Sequence, residues 1–180
     1  FEGIPLLNVI EPGAAAALEI SVDNKIAVLG TSATIRSHAY RDIIKKLSNQ
    51  AEVIEQACPL LVPLVEEGMI QDPITEMVAE RYLAEIKAQR IKTVILGCTH
   101  YPVLKQDLQK VLGPEVKLVE SGEVLAARLR KLFQDGIIQQ EVDNSRQIKV
   151  CITDLTDHFE RLAEKLMAPE RITQLEKVVL

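Results

Sequence analysis

Tryptophan is absent, and only three phenylalanines and three tyrosines occur in 180 residues. An aromatic-built core is therefore excluded, and Ile, Leu and Val must carry the packing. Lys and Arg number 21 against 26 Asp and Glu, a formal net charge of −5 with no basic block. That argues against a nucleic-acid partner, which requires clustered cations against phosphates. No apolar run approaches the roughly 20 residues that span a bilayer, and no secretory leader pattern is present, so no membrane partner is expected. The three cysteines, Cys58, Cys98 and Cys151, lie far apart without a Cys-x-x-Cys spacing. Reduced thiols in a cytoplasmic protein fit this better than a disulfide framework or a zinc site. Neither Gly-x-Gly-x-x-Gly nor a Walker pattern occurs, so nucleotide chemistry is not expected; internal repeats are also lacking. The chain opens at Phe1 rather than methionine, which reads as a fragment of a longer protein.

What is present centres on Thr93-Val94-Ile95-Leu96-Gly97-Cys98-Thr99-His100-Tyr101-Pro102. Four β-prone residues run into a glycine, and a thiol, a hydroxyl and an imidazole follow within three positions. Pro102 then opens a helical pattern with Leu104, Leu108, Val111 and Leu112 on one face, closed by Gly113-Pro114. The spacing predicts a buried parallel strand, a tight turn and a helix start, and in open α/β sheets ligands sit at such carboxyl ends. Gly97 would let backbone approach a small ligand. A free thiol has a pKa of about 8.5, so Cys98 can do acid–base or nucleophilic work where a helix end or cation assists it. His100 could relay a proton or set the thiol's charge. On spacing alone, a merely buried Cys98 beside a surface His100 is the favoured reading, since cysteines are often simply buried.

The remaining chain reads as alternating strands and helices. A short helix is expected over Ala14–Leu18 after Pro12-Gly13 punctuation, then strands at Lys25–Leu29 and Ala51–Ala57. Gly30-Thr31-Ser32-Ala33-Thr34 starts a helix with Ile35, Ala39, Ile43 and Leu47 inward. Its hydroxyls read as caps, with Ser32 and Ser37 as caps or surface residues, and His38 and Tyr40 as packed or surface residues. Cys58, before Pro59, reads as buried. Asp72-Pro73 is a helix start with Ile74, Met77, Val78, Tyr82 and Ile86 as one stripe. Val116–Val119 forms a strand, Ser121 caps a helix burying Val124, Leu125, Leu129 and Leu132, and Asp135–Ser145 is a polar linker. Ile148–Ile152 is a last core strand with Cys151 packed. Phe159, Leu162, Ala163 and Leu166 face inward from a final helix, with His158 outside.

Four ordered stretches share one resemblance: Pro12-Gly13-Ala14 with its alanine run, Gly30-Thr31-Ser32-Ala33-Thr34 with Ser37 and Tyr40, Cys58-Pro59-Leu60-Leu61-Val62-Pro63-Leu64-Val65-Glu66-Glu67-Gly68, and Gly97-Cys98-Thr99-His100-Tyr101-Pro102. Together they resemble the glutamate racemases of the aspartate/glutamate racemase superfamily. The resemblance implies an α/β fold, a parallel-sheet three-layer α/β/α domain plus part of a second similar domain. Residues 1–12 would be a crossover, 13–117 the domain carrying the family's second cysteine, and 118–180 a segment returning to a largely absent N-terminal domain.

It also implies roles. Cys98 would be the base that takes the α-proton of L-glutamate, His100 its assistant and Glu66, or the adjacent Glu67, the orienter of that imidazole. Thr99 and Thr34 would contact substrate, without any cofactor or metal. Glu120 departs from the family's usual aspartate. The family's Asp-Ser-Gly turn and Ala-Cys-Asn-Thr first-cysteine motif do not occur, so this chain alone is expected to be inactive, and apolar surface left by the missing portion would favour a homodimer or another association. An aspartate racemase, a noncatalytic amino-acid-binding module and a Cys–His acyl transferase are the competing expectations.

Overall fold

The computed structural model describes residues 6–138, 148–154, 163, 167 and 172–179. Helix α1 (Ile10–Ile20) leads into strand β1 (Lys25–Gly30), helices α2 (Ser32–Ser37) and α3 (Ala39–Leu47), and β2 (Glu52–Ala57). Helices α4 (Leu61–Glu66) and α5 (Pro73–Ala88) precede β3 (Thr93–Leu96), a 3-10 turn over Tyr101–Leu104, α6 (Lys105–Leu112), β4 (Lys117–Glu120) and α7 (Ser121–Gln134). Strands β5 (Lys149–Ile152) and β6 (Gln174–Lys177) follow.

The first four strands form one parallel sheet in the order β2-β1-β3-β4. The centre of this sheet is apolar on both faces, as parallel sheets covered by helices are. Successive residues of β1 and β3 divide between two cores. Ala27, Leu29, Val94 and Leu96 pack with α4, α5 and α6; Ile26, Val28 and Ile95 pack with Ala14 and Ala17 of α1 and Tyr40 and Ile44 of α3. The expected three-layer α/β/α architecture is what forms. β5 and β6 pair in parallel with each other as a separate two-stranded sheet.

Several local expectations change. Helix α1 runs through Pro12-Gly13 instead of starting after them. Pro12 is the third helical residue, where no intrahelical partner is needed for an N–H, and the Asn8 side chain accepts from the amides of Ile10 and Glu11 at 3.1 and 3.0 Å. The helix expected after Gly30 is divided by His38, whose φ of 53° is left-handed. That break rotates the buried face, so Tyr40 and Ile44 are interior while Leu47 is 48% exposed. On α5 the interior positions are Thr75, Ala79, Leu83 and Ile86; Ile74 and Met77 are 51% and 69% exposed. These two join Leu60, Val78, Arg81 and Tyr82 around a surface groove of about 470 Å³.

Ser121 begins α7 without capping it, and Val124, Leu125, Leu129 and Leu132 are half-buried. Cys151 is exposed rather than packed, because β5 lies outside the four-stranded sheet and alternates exposed and half-buried residues. Ala163 is buried as expected; the placements expected for His158, Phe159, Leu162 and Leu166, and for most of the polar linker, lie outside the described residues. Among the described residues no helix is long and apolar enough to cross a membrane.

Leu83 is almost fully buried beneath α5. Leu83→Ala should cost about 2–5 kcal/mol of unfolding free energy, read from urea titrations, whereas Met77→Ala, on the exposed side of the same helix, should change it by less than about 0.5 kcal/mol.

Candidate active site at the carboxyl edge of the sheet

The chain leaves β1 outward to β2, then crosses back to lay β3 on the other side of β1. This reversal puts the topological switch point at the carboxyl ends of β1 and β3, where open α/β sheets take ligands. The turn following β1 carries Thr31 and Thr34; the turn following β3 carries Cys98, Thr99 and His100.

Thr31, not Ser32 or Ser37, caps α2. Its hydroxyl accepts from the Thr34 amide at 3.2 Å and shares a 3.0 Å hydrogen bond with the Thr34 hydroxyl. A hydroxyl has one donor and two lone pairs, so the two threonines retain hydrogen-bonding capacity beyond this pair. Spacing alone did not single out Thr31; its position immediately before the helix was the signal.

The β3 turn is anchored on both sides. Gly97 donates its amide to the Leu29 carbonyl at 2.7 Å, and Tyr101 donates its amide to the Cys98 carbonyl at 3.2 Å. The buried Tyr101 hydroxyl reaches the Cys58 carbonyl, at the end of β2, at 2.9 Å. Gly97 is required for protein packing. A Cβ there would stand 2.8 Å from the Leu29 carbonyl oxygen and 3.1 Å from the Tyr40 ring.

Cys98 is half-buried, its side chain packed on the core that holds Tyr101 and Leu96. Thr99 is exposed and His100 half-buried. The imidazole has a neighbour on each nitrogen: Nε2 lies 3.6 Å from Glu66 Oε1, and Nδ1 lies 3.4 Å from the Thr99 hydroxyl. The first distance makes an ion-pair contact rather than a hydrogen bond. It links the last residue of α4 to the β3 turn, a carboxylate beside an imidazole, the base–orienter relation that general acid–base sites use. Glu67, the adjacent candidate, is the residue that follows α4.

Cys58 is fully buried, and burial pushes its thiol from the ordinary 9.0 up to about 12. It is a neutral packing residue, as its place before proline suggested. Burial, with smaller contributions from Cys58, Cys98 and Tyr82, also pushes the Tyr101 phenol far up. Glu120 pairs with Lys105 at the end of β4, and that carboxylate raises the lysine's pKa. Among the described residues no group of three His, Cys, Asp or Glu side chains is placed to hold a metal ion.

The family model for Asp/Glu/hydantoin racemases matches residues 2–129. The chain belongs to that family. It is 38% identical over 169 residues to a glutamate racemase from Chlorobaculum tepidum, covering 93% of this chain and 62% of that protein. This family member also superposes on the glutamate racemase isoform RacE1 of Bacillus anthracis with a TM-score of 0.88 at 32% identity, over 98% of this chain and 65% of that one. The glutamate racemase of Francisella tularensis, solved in complex with D-glutamate, gives a TM-score of 0.88 at 31% identity, over 99% and 65%. The chain thus spans somewhat under two thirds of the length of the relatives it matches.

The two raised groups carry a pH consequence. Cys58 and Tyr101 are neutral when folded and ionise more easily when unfolded, so their contribution to stability is complete below the unfolded thiol value of 9.0 and is lost as pH climbs toward about 12. The urea midpoint should fall across that window, and Cys58→Ala should make the fall shallower; an unchanged slope would remove Cys58 from the account.

Proposed function

We propose that this chain is the second-cysteine part of a glutamate racemase, an amino-acid isomerase that inverts the α-carbon of glutamate without a cofactor and supplies D-glutamate for peptidoglycan in the cytoplasm. The observation that carries the reading is the half-buried Cys98 at the sheet's switch point, two residues before a His100 that is in contact with Glu66. On this reading residues 13–117 form the thiol-bearing domain, 1–12 the crossover, and 118–180 the segment that returns to a second domain.

Inversion without an electron sink requires removal of a weakly acidic α-proton from one face and delivery of a proton to the other. Two opposed acid–base groups do this, with donors stabilising the charge that develops on the carboxylate. A thiol serves in both directions, as thiolate base and as thiol acid. Cys98 takes the α-proton of L-glutamate and returns one to the planar intermediate when D-glutamate is the substrate. His100 assists the proton's passage and Glu66 orients its ring. The Thr99 and Thr34 hydroxyls receive the substrate carboxylate from the two walls of the crevice. The opposing thiol belongs to the portion of the relatives that this chain does not cover, and association into a homodimer would cover apolar surface that portion otherwise shields.

Incubation of this chain with L-glutamate in deuterated water should therefore yield no D isomer, while the longer protein carrying both thiols inverts glutamate and its Cys98→Ala form does not. Sustained formation of D-glutamate by the chain alone, or by the Cys98→Ala protein, would overturn the two-thiol reading.

A further inference from the structure

Tyr40 has no part in the chemistry set out above, yet it is the side chain on which the thiol turn rests. It lies in the core on the face of the sheet opposite to Tyr101. Its ring occupies the space beside Gly97 that a Cβ would enter, 3.1 Å from that hypothetical atom. Its hydroxyl shares a buried 3.0 Å hydrogen bond with the Ser121 hydroxyl at the start of α7. Ser121 in turn lies on Gly13 of α1, where a Cβ would overlap the serine oxygen. Gly13, Ser121, Tyr40 and Gly97 thus form a column from α1, past the carboxyl end of β4, to the residue before Cys98. Burial and, to a smaller degree, the neighbouring Cys98 raise the phenol's pKa, partly offset by the hydrogen bond to Ser121, which is consistent with the closeness of ring and thiol turn.

We propose that Tyr40 is a positioning residue for Cys98: its ring, held by Ser121 and pressed against Gly97, sets the position of the thiol turn over the crevice. The inference deepens the reading of Cys98 as the acid–base thiol and rests on it. The ring is the determinant, because it fills the volume and the hydrogen bond only fixes its place. Tyr101 anchors the far end of the same turn through the Cys58 carbonyl, so Cys98 is gripped between two buried phenols, one on each face of the sheet.

The three cysteines supply their own controls. Iodoacetamide labelling with mass spectrometry, without glutamate, reads Cys98 as the reporter, exposed Cys151 as the reagent reference, and buried Cys58 as a gauge of general opening. Tyr40→Leu should change the Cys98 rate relative to Cys151 by about fivefold or more with Cys58 still protected, and Tyr40→Phe should restore it to within about twofold, the sensitivity expected of a displaced reactive group. Gly97→Ala, which drives a Cβ against the Leu29 carbonyl and the Tyr40 ring, should reproduce the change with Tyr40 intact. An unchanged Cys98 rate in Tyr40→Leu or Gly97→Ala, failure of Phe to rescue, or loss of Cys58 protection in step with Cys98 in both variants would overturn the proposal. Because no glutamate is present, this result stands apart from the racemisation test: Tyr40 can lose its role while the two-thiol protein still inverts glutamate, and the reverse.

Discussion

The pairing of β3 beside β1, rather than beside β2, is the constraint on which the site depends. In register, Ile26 to Leu29 face Thr93 to Leu96, so the two strands end together and both following turns open at the same level. Had β3 extended the sheet beyond β2, the turn bearing Thr31 and Thr34 and the turn bearing Cys98 would be separated by a strand. The reversal of direction between β1 and β3 leaves a gap that helices on either face cannot close. Three threonine hydroxyls, a thiol and an imidazole sit on the two turns that follow these strands, and the Glu66 carboxylate at the end of α4 meets the imidazole.

Few aromatics do much of the work of holding it. With no tryptophan and a core of aliphatic side chains, two of the three tyrosines are spent at the thiol turn, one per face of the sheet. A buried phenol needs a hydrogen-bond partner, and each has one: Tyr101 on the Cys58 carbonyl and Tyr40 on Ser121. On the proposed function, rigid anchorage of this kind would suit a thiol that must meet a carbon–hydrogen bond at a defined angle, because misplacement of a reacting atom is costly. By contrast, the His100–Glu66 contact is partly solvated, as expected of groups that complete their alignment only around a ligand.

How much of this the sequence disclosed varied with the physics. The central strand, the turn and the helix after it were legible because four β-prone residues, a glycine and a 3.6-residue apolar period coincide within twenty positions. Asp72 before Pro73 was equally legible and caps α5 as expected, accepting from Ile74 at 2.8 Å. The buried face of α3 is not legible in the sequence because a left-handed His38, unremarkable as a residue type, resets the helical phase. Pro12-Gly13 reads as punctuation, whereas proline within the first turn leaves the hydrogen-bond ladder intact and α1 runs through it. Ser121 reads as a cap because nothing local reveals a tyrosine 81 positions away. Cys151 reads as a core residue because a strand-like run does not say which sheet it will join. In the site, the motif around Cys98 was readable, while the contact between His100 and Glu66 depends on how α4 packs, which no spacing encodes.

On the proposed function, the carboxyl edge of the four-stranded sheet, and not another surface, receives an amino-acid dicarboxylate. A rival exists at the opposite edge, where Lys87, Arg90 and Lys92 border a hollow of about 300 Å³. Amide chemical-shift mapping of the chain titrated with D-glutamate separates the two directly. Shifts concentrated at Thr31–Thr34 and Gly97–Tyr101 are the predicted result; shifts confined to Lys87–Lys92 would contradict the account.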